Sequence, residues 1–216
     1  MIKAWPLAAK LSGRAHSLRG FTLLELLLVM ALISILACVA TWGGRHMLRG
    51  WQLKRAGHQM LEDLKAAQGR AEMSGSLTMS NGTLVMQRTF LVFDPDAQSY
   101  AAYSWQDHNG DGVTEAGESA QLWQKGLPPG VFFDWAPGID RRACSNVNGP
   151  PGSAISFSSP TYAPCDDRPC IKFDQHGFSV MGPGAVYLSE GEQTLAITGT
   201  RPGHFTMCEW NGERWQ

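Results

Sequence analysis

The chain has 216 residues, 44% hydrophobic and 17% charged, with a net charge of −1, a size that suits one globular domain plus an additional element. Lys3, Lys10, Arg14 and Arg19 stand in residues 1–20 with no acid, leaving 14 basic against 19 acidic side chains, a net of −5, over residues 21–216. An acidic remainder argues against nucleic-acid binding by bulk charge, and without a G-x-S-x-G, P-loop or H-E-x-x-H motif nothing indicates an enzyme.

Residues 1–20 read as a basic targeting leader. Behind it, residues 21–40, "FTLLELLLVMALISILACVA", are apolar except for Thr22, Glu25 and Ser34. A helix of 20 residues spans about 30 Å, the thickness of a bilayer core. The run is too long for a typical secretory signal and lacks an A-x-A-like site after it. Arg45, Arg49, Lys54 and Arg55 follow it closely, so the positive-inside rule does not orient it. A carboxylate in hydrocarbon costs about 3 kcal/mol on insertion scales. Glu25 needs a reason.

Gly20-Phe21-Thr22-Leu23-Leu24-Glu25, placed behind that leader, resembles the processing site of type IV prepilins and type II secretion pseudopilins. The resemblance implies that an inner-membrane prepilin peptidase cuts after Gly20 and that the new N-terminal Phe21 is N-methylated. It also implies that Glu25 pairs with the Phe21 amine of a neighbouring subunit in a filament. Each charge then compensates the other in a low-dielectric core, where losing one partner costs several kcal/mol. Glu25 is expected to be an assembly device. The implied partners are other pilins or pseudopilins, the peptidase and the bacterial inner membrane, with the head in the periplasm.

The helix is expected to continue to about residue 73. Leu53, Gly57, Met60, Leu64, Ala67 and Ala71 recur at helical spacing as one stripe. Lys54, Arg55, Glu62, Asp63, Lys65 and Arg70 sit off it. Gly43, Gly44, Gly50 and Gly57 each weaken a helix by up to about 1 kcal/mol and mark possible bends. The expected divisions are the leader, a transmembrane helix at 21–43, its amphipathic continuation at 44–75 and a β-rich head at 76–216.

After Gly75 the period changes to two. Strands are expected at 76–80, 83–87, 89–93, 99–105, 131–135, 154–157, 170–173, 177–181, 185–188, 193–197 and 204–210, with turns at Asn81-Gly82 and Asp94–Ala97. A long helix followed by strands is an α+β arrangement, pilin-like by the resemblance.

"DHNGDGVTEAGE", residues 107–118, matches the calcium-loop pattern at every fixed position. Asp107, Asn109 and Asp111 offer side-chain oxygens, Val113 a carbonyl, Glu115 a direct or water-bridged contact and Glu118 a bidentate carboxylate. The bland alternative is an exposed acidic turn. Ca²⁺ is the expected cofactor, held by this single loop.

Cys144, Cys165, Cys170 and Cys208 all lie in the polar C-terminal part, and two disulfides place it in an oxidising compartment. Of the three possible pairings, Cys170–Cys208 with Cys144–Cys165 suits the expected strands best. Trp210 and Trp215 are expected in a core or interface. "CIKFDQHGFSV" and the stretch from Ala185 to Trp210 resemble the heads of minor pseudopilins of the H class and of FimT-like minor pilins. The resemblance implies a structural subunit of an inner-membrane-anchored filament, without catalysis. Some FimT-like relatives bind DNA through a Gly-Arg-x-Arg hairpin. Here Gly199–His204 carries Arg201 alone, and each missing phosphate contact removes salt-dependent affinity, so DNA is the lesser reading.

Overall fold

The computed structural model describes residues 22–74, 77–80, 83–109, 111, 115–145 and 147–216, and the side chains among them except 40–47, 74, 77–80, 83–86 and 116. The chain divides into two units at Gly44/Arg45. One helix, α1 (Leu23–Ser74), contributes to both and runs through Gly43, Gly44, Gly50 and Gly57 without a break.

In the first unit, the described side chains of residues 23–39 are all exposed. Leu23 is 78% exposed and Leu36 67%, a state that apolar side chains adopt only where something else is meant to cover them. This fully described apolar stretch is 17 residues long, about 26 Å of helix. Among the described residues, no helix is long and apolar enough to cross a membrane.

The second unit begins with the expected stripe. Leu53, Met60, Leu64, Ala67 and Ala71 are buried, and Gly57 with them. Gly57 is there for closeness rather than for bending: a Cβ on it would lie 2.9 Å from Leu195 Cδ1 and 3.1 Å from Met207 Sδ. Asp63 departs from the expected polar face, being only 9% exposed. It accepts a hydrogen bond from the Tyr100 hydroxyl at 2.8 Å and is held by Lys125 Nζ at 2.7 and 2.9 Å. A buried carboxylate is tolerable when paired and hydrogen-bonded in this way. Burial first, then the Asp63 carboxylate, pushes the Tyr100 phenol above its ordinary range.

Among the described residues eight strands follow: β1 (Leu77–Ser80), β2 (Thr83–Asp94), β3 (Ser99–Gln106), β4 (Ser119–Gly126), β5 (Cys170–Phe173), β6 (Gly184–Ser189), β7 (Thr194–Gly199) and β8 (Phe205–Glu209). The first sheet has the order β1-β2-β3-β4, with β5 also on β2; the second is β6-β7-β8. All strand pairings among the described residues are antiparallel. The two stretches expected at 83–87 and 89–93 are one strand. Phe90 to Phe93 are all buried, as in a strand covered on both faces. Leu91 and Phe93 join the helix stripe in the main core, while Phe90 and Val92 join Trp105, Cys165 and Cys170 on the other face.

The stretches at 131–135, 154–157 and 177–181 are not strands; they make only the single bridges Phe132↔Ser189, Ile155↔Val186 and Phe173↔Ser179. Strand β4, "SAQLWQKG", was not expected. The turn at Asp94 is as read, with Ala97 N–H donating to Asp94 Oδ1 at 2.9 Å; Asn81-Gly82 lies outside the described residues.

The disulfides correct the expected pairing. They are Cys144–Cys208 and Cys165–Cys170. Cys170 on β5 points onto the outer face of the first sheet, whereas Cys208 packs with Tyr187, Trp210 and Trp215 in a third cluster beside the second sheet. A disulfide needs Cα atoms within about 7 Å, and separate clusters do not offer that. The observed pairs lie at 5.5 and 5.9 Å. Trp210 and Trp215 are buried, with ring centroids 5.3 Å apart.

Candidate assembly end and acidic loop

Gly20 and Phe21 lie outside the described residues. The helix start behind them is well defined. Glu25 N–H donates to Thr22 Oγ1 at 3.2 Å, and Leu26 N–H to the Thr22 carbonyl at 3.2 Å. Thr22 is therefore the N-cap, and Thr22-x-x-Glu25 is the sequence of a capping box. Glu25 in the first turn also complements the helix dipole, by roughly 0.3–1 kcal/mol. Ser34 Oγ–H donates back to the Met30 carbonyl at 2.8 Å, so its hydroxyl is satisfied within the helix. Both hydroxyls of this stretch are thus spoken for, while the Glu25 carboxylate accepts no hydrogen bond from any described residue. It is exposed and has capacity for a cationic partner.

The acidic loop links β3 to β4. Asp107 is 3% exposed and Glu118 9%, so the two ends of the motif are anchored in the head. Glu118 Oε1 accepts the His108 N–H at 2.9 Å and Oε2 accepts the Trp105 indole N–H at 3.0 Å. Burial opposes ionisation of Glu118. Hydrogen bonds from the His108 backbone, the Trp105 indole and the Glu115 and Asn109 backbones outweigh it and hold the carboxyl below its usual range. Between the anchors, Asn109 Nδ2–H donates to Asp111 Oδ2 at 2.9 Å and Asp111 N–H returns to Asn109 Oδ1 at 3.0 Å. Glu115 is exposed and precedes a 3₁₀ turn, Ala116–Glu118. Val113 lies outside the described residues.

Among the described residues, no group of three or more His, Cys, Asp or Glu side chains is gathered closely enough to hold a metal. The donor chemistry nevertheless suits a hard cation: the Glu118 carboxyl is held below its usual range, and Asp107, Asp111 and Glu115 stand in the same loop. Sequence reasoning missed three contributors here. Thr22 was readable from the Thr-x-x-Glu spacing; Trp105 and His108, as partners of Glu118, left no local signal.

The β7–β8 turn closes with Gly203 N–H donating to the Thr200 carbonyl at 3.0 Å and Thr200 N–H to the His204 carbonyl at 3.0 Å. Arg201 is exposed at its tip and is the turn's one arginine.

Comparison with known proteins bears on the N-terminal end. Residues 17–40 match the prokaryotic N-terminal methylation motif, and Gly20, Phe21 and Glu25 all fall inside the match. The chain therefore carries the methylation signal that its leader and Gly-Phe-Thr-x-x-Glu spacing resemble. No curated protein matches the chain. Among solved structures, the minor pseudopilin EpsH from the Type 2 Secretion System of Vibrio cholerae is similar at 15% identity and a TM-score of 0.41, over 72% of this chain and 94% of that one.

Proposed function

We propose that this chain is a minor pseudopilin of the H class in a type II protein secretion system, or a closely related type IV pilus minor pilin. One observation carries the reading: the methylation motif runs into an apolar helical stretch exposed on every side, whose one charged group is Glu25. In this reading the leader is removed after Gly20 and Phe21 is methylated. Residues 21–43 are the single membrane pass, and the head stands in the periplasm with its two disulfides. The Glu25 carboxylate takes the Phe21 amine of a neighbouring subunit. The chain acts as a structural subunit and has no reaction of its own.

Mass spectrometry of the membrane form is expected to find an N-methylated Phe21 at the N-terminus, and intact Met1 in assembled material would overturn the reading. Glu25→Ala is expected to be processed and inserted normally but to enter filaments poorly. Incorporation at the wild-type level would remove the charge-pairing account.

The acidic loop supports a second proposal, calcium binding. The residues that would hold the ion are Asp107, Asn109, Asp111, Glu115 and Glu118, with the Val113 carbonyl. A bound ion would supply positive charge among carboxylates that otherwise repel one another. At about 1 mM calcium and a Kd of about 0.1 mM the gain is roughly 1.4 kcal/mol. Thermal melts with calcium and with chelator are expected to differ accordingly, and Asp107→Ala or Glu118→Ala to erase the difference. Superimposable wild-type curves would leave the loop an acidic turn.

A further inference from the structure

The outer face of the first sheet holds a half-buried amine. Lys172 on β5 lies directly across from Phe90 on β2. Its Nζ sits 5.0 Å from the Phe90 ring centroid, 4.9 Å from Trp105 and 5.6 Å from Tyr162. Phe90 and Trp105 are fully buried; Tyr162 stands three residues before Cys165 of the Cys165–Cys170 disulfide. Ring faces attract an ammonium, but they do not replace the hydrogen bonds it had in water.

No described carboxylate pairs with Lys172, in contrast to Lys54, which pairs with Glu209, and Lys125, which pairs with Asp63. Its charged neighbour is another cation. Arg88 stands two residues before Phe90 on the same face of β2, with Trp105 directly opposite it, which makes Arg88 and Lys172 diagonal neighbours. One Arg88 N–H donates to the Gln87 carbonyl at 3.0 Å, leaving further donors of its fork. Burial first, then the Arg88 charge, lowers the Lys172 pKa from 10.5 to about 8. Lys172 is half-buried, so solvent still reaches it.

We propose that Lys172 is a modification site: an amine nucleophile for small acyl phosphates, with Arg88 holding the donor's phosphoryl group. The neutral Nζ adds to the acyl carbon, and a C–N bond forms. The C–O bond to phosphorus's bridging oxygen breaks, phosphate leaves with the electron pair, and the amine proton passes to water. Nothing is oxidised or reduced. The amide product is uncharged, so acylation removes both the desolvated ammonium and its repulsion with Arg88.

The test uses the full chain in detergent, acetyl phosphate at pH 7.5, and mass-spectrometric mapping of each lysine against time. Exposed Lys65 on α1 is the internal reference. Lys172 is expected to acetylate roughly tenfold faster than Lys65, because far more of it is neutral at that pH. An uncharged acetyl ester serves as the second reagent. Arg88→Gln is expected to lower the ratio of acetyl phosphate rate to ester rate at Lys172 several-fold and to leave that ratio unchanged at Lys65. On the wild type, added sulfate is expected to slow acetyl phosphate at Lys172 but not the ester, which keeps the test open if Arg88→Gln does not fold. A Lys172 rate no greater than that of Lys65 would overturn the proposal, as would a reagent ratio indifferent to both Arg88→Gln and sulfate.

Discussion

The two parts of α1 use the same backbone for opposite ends. Over residues 23–39 apolar side chains surround the helix and all are exposed. From Leu53 to Ala71 they are confined to one stripe, which is buried against both sheets. The second part draws its stability from the head; the first has apolar surface and one carboxylate for which the described chain supplies no cover. Hydrophobicity alone therefore does not say where a helix is buried. The angular distribution does: a one-sided helix packs on its own chain, and an all-round apolar helix needs an outside medium or neighbours. That contrast implies that the head's stability resides wholly in Arg45–Gln216.

The largest effect that could break this contrast lies in the disulfides. Cys144–Cys208 spans 64 residues and Cys165–Cys170 only 5, so loop-closure entropy assigns about 4 kcal/mol to the first and about 2 to the second. Chemical denaturation of Cys208→Ser and Cys165→Ser in residues 45–216 is expected to show that order. Equal losses would mean that something other than chain closure sets them.

Next comes a paired comparison within the helix. Leu64 is fully buried and Leu32 is 53% exposed. Leu64→Ala is expected to cost the head about 3 kcal/mol, and Leu32→Ala to leave its unfolding unchanged. A head destabilised by Leu32→Ala would show that the first part of the helix is covered by its own chain after all.

The helix stripe was legible because it repeats at helical spacing from Leu53 to Ala71. Asp63 was misread because its partners, Tyr100 and Lys125, are 37 and 62 residues away. The extra strands have a different cause. Val131 and Phe133, like Ile155 and Phe157, are buried with alternating spacing, yet they are loop side chains plugging the core without a ladder. Strand β4 escaped because none of its side chains is buried and their exposure does not alternate, and ladder hydrogen bonds have no side-chain signature. At the assembly end, Gly20, Phe21 and Glu25 were readable because the signal is local and contiguous. In the acidic loop the donors were readable, but the bonds from Trp105 and His108 to Glu118 exist only in the folded head.

The smallest expected effect is a pH dependence confined to the second unit. Tyr100 is raised by burial and by Asp63, and burial also raises Tyr162 and Tyr187. Their folded forms keep a proton that the unfolded chain releases near pH 10, so their stabilisation is complete below that pH and declines above it. Lys172 works the other way. Its pKa falls to about 8 in the folded head against 10.5 unfolded, so the unfolded chain binds more protons in between and stability rises with pH across that window. The head should therefore gain stability from about pH 8 and lose it above about pH 10, each proton setting a slope of at most about 1.4 kcal/mol per pH unit. Lys172→Met should flatten the rise, and Tyr100→Phe should soften the fall, in urea melts from pH 7 to 11. Residues 21–44 contain only Glu25 and Cys38 as titratable side chains, so residues 21–216 in detergent should give the same curve as residues 45–216. A different curve would place part of the head's stability in the first half of the helix.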